Sequence, residues 1–261
     1  MRKFVVLAVL VAWCIVAVPV TASAKDKDLV QAMADFDKAY IPPMFFTSSN
    51  SKPLSVKSMA ICKSEWEKFT GAYYDYRPNY ANWQSYFVTI NEAVAEADVI
   101  VTSCALNPSC TDVVPAHEPL ELVRLTMREL RTHNGFPKFN TDALTAFHEP
   151  MEAIVLTVKG KTPDMIDEAT IAALYAHLDE AFFLWRKVEK CPLDPELWHF
   201  TDQQVTDYYT YLFQERLALT TFKDALDSGN KLAIIQTGVG VKPTFVKAYT
   251  LFGDFARVMR P

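Results

Sequence analysis

His117-Glu118-Pro119-Leu120-Glu121 and His148-Glu149-Pro150-Met151-Glu152 spell one pattern, His-Glu-Pro-(Leu/Met)-Glu, 31 residues apart. On a helix, positions i and i+4 share a face, so His117 with Glu121 and His148 with Glu152 each present an imidazole beside a carboxylate. Such a pair is half of a divalent-metal site, and it can equally anchor a polar ligand. The proline adds a second feature. Inside a helix it removes a hydrogen bond and crowds the carbonyl four residues back, so kinks are expected that free Pro115 and Ala146. A bland reading stands beside this one. His117, Glu121, Arg124 and Arg128 also form a strip that a solvated, salt-bridged face would show, and His148 flanks Leu144, Met151 and Val155. In an antiparallel hairpin the two histidines would differ by roughly 14 Å in height at ~1.5 Å per residue. Two separate sites are expected, not one.

A third pair, His177 and Glu180, lies in His177-Leu178-Asp179-Glu180. Its His-x-x-Glu spacing resembles the metal-associated motif of the imelysin family of exported helical proteins, although Tyr175 stands where that motif has glycine. The aromatic group Tyr73, Tyr74, Tyr76, Tyr80, Trp83, Tyr86 and Phe87 straddles a junction between helices and reads as packing. Other chemistries find no footing. No G-x-S-x-G, H-E-x-x-H or phosphate-cradling glycine motif occurs among only 7 glycines, so catalysis is not expected. With 31 acidic against 26 basic residues and a net charge of −5, the chain lacks the basic face that nucleic acid requires.

Met1-Arg2-Lys3, an uncharged run from Phe4 to Val20 and the exit Ala22-Ser23-Ala24 compose a Sec leader, with cleavage expected after Ala24. No later stretch is apolar enough for a stable membrane span. The expected compartment is the periplasm. Cys62, Cys104, Cys110 and Cys191 remain after the leader, an even number suited to oxidising conditions. Cys104 with Cys110 is the expected local bridge, and Cys62 with Cys191 the remainder.

The elements that must carry these residues are helices. Ile171, Leu174, Leu178, Phe182 and Trp185 recur at spacings of three and four, and no sustained two-residue alternation appears. Eight helices are predicted, about 26–41, 54–75, 80–103, 112–132, 141–159, 163–190, 201–227 and 243–258. The fold class is therefore all-α, an antiparallel bundle. The repeat, together with echoes such as Lys52-Pro53-Leu54-Ser55-Val56-Lys57 and Lys242-Pro243-Thr244-Phe245-Val246-Lys247, suggests two four-helix units at 25–134 and 135–261. This layout resembles exported four-helix bundles of the cytochrome b562 type. The resemblance implies haem b held by Met33 or Met44 with His117, while the second unit has no histidine in its last helix. The expected function is a periplasmic binding or sensory module holding a divalent metal or polar ligand. Its rival is a cofactor-free structural bundle, or one that docks another periplasmic protein.

Overall fold

The computed structural model describes residues 24–77, 80 and 82–260. The leader through Ser23 lies outside the described residues. Ten α-helices, eight of them long, dominate the described residues, which are 82% helical and contain no strand. Helices α1 (Ala24–Ser48), α2 (Lys52–Tyr73), α3 (Trp83–Leu106) and α4 (His117–His133) close a first ring, in which each packs on the next and α4 returns to α1. Helices α5 (Asn140–Val158), α6 (Glu168–Lys190), α8 (Asp202–Ser228) and α9 (Lys231–Thr250) close a second. The short α7 (Pro195–Trp198) rests on α1, and α10 (Phe255–Met259) rests on α2, so each strap from the second half reaches the first.

One apolar core runs through both rings. Phe36, Trp66 and Phe87 stack at 5.0–5.6 Å in the first, and Phe147 meets Trp185 at 4.6 Å in the second. Each such side chain, wholly withdrawn from water, contributes roughly 1.5–3 kcal/mol. Gly238 lets α9 close against α5: a Cβ there would lie 2.9 Å from the Val158 side chain.

Local chemistry sets several helix ends. The Thr201 hydroxyl and Gln204 side chain form a reciprocal capping box at the start of α8, and Gly229, at φ +66°, ends it. Asn230 then caps α9, which starts well before the expected residue 243 and runs through Pro243. Asp167 caps α6, which starts later than the expected residue 163; residues Pro163–Met165 form only a 3-10 turn. Helix α1 likewise continues beyond residue 41, through Pro42 and Pro43. Pro42 cannot donate to the Lys38 carbonyl, and the Asp254 amide takes that acceptor at 2.9 Å.

Cys104 and Cys110 are disulfide-bonded as expected. The second expected bridge does not form. Cys62 is sealed in the core of the first ring, while Cys191 sits at the end of α6 in the second, and both are free thiols. Among the described residues, no helix is long and apolar enough to cross a membrane.

Candidate functional site

The two prolines of the repeat occupy different structural positions. Pro119 is the third residue of α4, in the first turn, where a missing amide costs no helical bond. Pro150 lies inside α5, and only there does the repeat leave a carbonyl, that of Ala146, without its helical donor. The expected matched pair of kinks is therefore not present, because α4 begins at His117 after a 3-10 turn at Val114–Ala116 instead of running from 112.

The two copies nevertheless meet. His117 sets Nε2 3.3 Å from Glu121 Oε1, and Glu121 is ion-paired to Arg124 through Nη2. The same nitrogen of Arg124 lies 2.9 Å from His148 Nδ1 on α5. Three residues of α4 thus climb one face in steps of four and three and hand over to α5. Glu152 joins through Lys242 of α9, whose ammonium donates to both carboxylate oxygens at 2.8 and 3.1 Å. Two sites were expected from the heights of the histidines alone. Arg124 corrects that: it stands 9 residues before the end of α4 at His133, and His148 stands 8 beyond the start of α5 at Asn140.

This cluster borders a cavity of about 240 Å3 at the seam between the rings. Helix α1 contributes Met44 and Phe45, α4 contributes His117, Glu121 and Arg124, α5 contributes His148, and α9 contributes Lys242, Phe245 and Tyr249. The expected solvated strip is half wrong, since Arg124 is only 3% exposed. All hydrogen bonds of Arg124 leave from Nη2, and its buried Nε has no partner.

Electrostatics follow from this enclosure. Arginine can only donate, so His148 Nδ1 accepts and its proton resides on Nε2. Burial, with the Arg124 charge, brings His148 down to about 4, so the ring is neutral near pH 7. Burial alone would raise Glu121, but the His117 hydrogen bond and the Arg124 charge outweigh it and hold the carboxyl below its usual range. His117 faces two acceptors at once, with Nδ1 2.9 Å from the Met44 carbonyl and Nε2 against Glu121.

These partnerships bear on the metal expectation. Glu121 is held by Arg124, Glu152 by Lys242, and His148 Nδ1 by Arg124. Among the described residues no three His, Cys, Asp or Glu side chains gather as a metal cluster. His177 and Glu180 lie on α6, Glu180 exposed, with no third donor beside them. Nor do the residues fit the axial pair implied by the haem-binding layout: Met44 meets His117 through its backbone carbonyl, and Met33 is sealed in the core.

The fold and site define an all-helical pair of four-helix rings with an amphipathic, charge-lined cavity at their seam. No protein-family model matches the chain, and neither curated proteins nor solved structures give a match.

Sequence reasoning found His117, Glu121 and His148 as candidates, placed Arg124 only in a solvated strip, and named Met44 only as a haem ligand. It missed the roles of Lys242 and Phe245, which come from α9. The available signal was the segment Lys242-Pro243-Thr244-Phe245, noted as an echo only.

Proposed function

We propose that this chain is an exported helical binding module whose seam cavity holds a small polar ligand. Arg124 carries the reading: a guanidinium almost wholly withdrawn from water, bordering a cavity, with Nε unpartnered. An unmet buried donor costs about 1–3 kcal/mol, which a bound acceptor would relieve. The polar-ligand form is favoured over the metal form because the candidate metal ligands are already committed to Arg124 and Lys242. Export is supported by the leader and by the Cys104–Cys110 bond. N-terminal sequencing of the protein from a periplasmic fraction should begin at Lys25.

The binding reading is tested by melting the full chain against small polar compounds of each charge class and against divalent metals, with chelator as control. A ligand bound only by the native state adds about 2.7 kcal/mol at 100-fold over its dissociation constant. Val246→Phe, which fills the cavity wall, should abolish the shift. If no compound or metal moves the midpoint, the scaffold reading takes over. That rival has its own support on α8, where Tyr209, Phe213 and Leu217 recur every four residues and are 53, 69 and 55% exposed.

A further inference from the structure

Charge, donor geometry and the shape of the walls together narrow the ligand class. The two permanent cations of the cluster, Arg124 and Lys242, are each paired to one carboxylate, Glu121 and Glu152. The unspent polar capacity is of donor type. Arg124 keeps Nη1, which makes no bond, beside the enclosed Nε, His148 keeps Nε2–H, and Lys242 keeps a third ammonium proton beyond its two bonds to Glu152. The one acidic side chain lining the cavity, Glu121, already receives His117 on one oxygen and Arg124 on the other. A cationic ligand would find no free counter-charge.

The remaining walls are mostly apolar, Ile41, Met44, Phe45, Phe245 and Val246 with the ring of Tyr249, and the Ser48, Ser49 and Thr250 hydroxyls beside them donate to backbone carbonyls. A fully hydrated anion gains nothing from such walls, whereas an apolar body does. At ~30 Å3 for one water-sized group, a cavity of about 240 Å3 has room for roughly eight such groups. Both a metal ion and a sugar phosphate are poorly matched to that combination.

We infer that the seam cavity takes a small monocarboxylate with an aromatic or branched aliphatic body, its carboxylate toward Arg124, His148 and Lys242 and its body against Phe45 and Phe245. Planar guanidinium matches the carboxylate fork, and charge-assisted bonds of this kind are the strong ones. This rests on the binding reading above and gives it a ligand class.

The test is titration calorimetry on the full chain with phenylacetate, phenethylamine, acetate and Zn2+. Phenylacetate should bind saturably, one per chain. Acetate, lacking the body, should bind at least about tenfold more weakly, and phenethylamine, with the same body and opposite charge, should not bind. Val246→Phe should abolish phenylacetate binding, and Lys242→Met should weaken it about tenfold, the loss of one charge-assisted contact. Arg124→Met should abolish it as well. Because Arg124 is buried and that variant can fail to fold, the rim residue Lys242, with its side chain 43% exposed, carries the test independently. Phenethylamine or Zn2+ binding in place of phenylacetate overturns the carboxylate class and leaves the binding module standing. Acetate binding as tightly as phenylacetate overturns the apolar body. Silence from all four probes overturns both this inference and the reading beneath it.

Discussion

Two buried side chains, His148 and Glu215, pull the stability of this protein in opposite directions as pH changes. His148 is depressed to about 4 by burial and the Arg124 charge, from an ordinary 6.5. The unfolded chain therefore binds a proton below pH 6.5 that the folded chain refuses until pH 4. Stability is full above 6.5 and falls as pH drops through that window, by about 3 kcal/mol in all at 1.36 kcal/mol per pH unit. Glu215 lies wholly inside the second ring. Burial pushes it up to about 8, only partly offset by the Thr244 hydroxyl and the Phe245 amide, and its Oε1 has no partner. Its folded form keeps a proton that the unfolded chain releases above 4.5, so stability is full below 4.5 and is lost as pH rises to 8, by about 5 kcal/mol. Between pH 4.5 and 6.5 the two slopes, one proton each, cancel. Asp142, which burial raises to about 6, adds its own decline below that pH, so thermal melts should show the wild type declining from 6.5 to 8 with no compensating rise below pH 6. Glu215→Gln should remove the alkaline decline. His148→Phe, which keeps a ring beside Phe245, should expose the Glu215 slope down to pH 4.5. A wild-type profile rising from pH 6.5 to 8 would contradict the burial of Glu215 as a protonated acid.

At the scale of elements, what local chemistry decides was readable and what distant packing decides was not. The ends of α8 follow from Thr201, Gln204 and Gly229, each acting within a turn of its own position. The passage of α1 through Pro42-Pro43 depends on an amide at Asp254, more than two hundred residues away in sequence, which accepts no prediction from a local window. The same division holds for the site. The repeated His-Glu pattern was visible because it lies within two short segments. Its convergence was not, because it needs Arg124 withdrawn from water by α1 and α9. Cysteine pairing makes the point most directly: parity suggested two bridges, yet a bridge requires two specific Cα atoms within about 7 Å, which parity does not supply. Thiol titration under denaturing, non-reducing conditions should therefore find two thiols in the protein without its leader. In the native protein Cys191 should react first. Cys62 is 0% exposed, with its thiol pushed well up by burial, and should wait for unfolding. A count of zero would restore the Cys62–Cys191 bridge.

At whole-molecule scale, a fully buried arginine bridges the two rings. Arg131 of α4, 1% exposed, donates from Nη1 to Asp37 of α1 at 3.0 Å, and from Nε and Nη2 to Asp142 of α5. Thr141 of α5 donates its hydroxyl back to Asp37 at 2.6 Å, so carboxylate, guanidinium and hydroxyl bridge the rings in both directions. Tyr40 and Tyr249, hydroxyls 3.1 Å apart, continue this polar seam from α1 to α9 at the cavity wall. Removing the arginine leaves Asp37, wholly buried, with Thr141 as its remaining partner, and breaking a buried pair in this way costs about 3–5 kcal/mol. Arg131→Lys keeps the charge and loses the planar fork, so its loss should be smaller. The tryptophans allow the rings to be followed separately, Trp66 and Trp83 in the first and Trp185 in the second, with Trp198 on the α7 strap. With 5-fluorotryptophan incorporated, 19F resonances of all four should change at one denaturant midpoint in the wild type, because a shared core and a buried charge bridge make the rings one cooperative unit. In Arg131→Met the midpoints of Trp66 and Trp83 should part from that of Trp185, since the clamp is gone while each ring keeps its own aromatic core. If the midpoints stay coincident in that variant, the apolar seam alone couples the rings. The charged clamp would then serve only to fix how they dock, and with it the distance between Arg124 on α4 and His148 on α5.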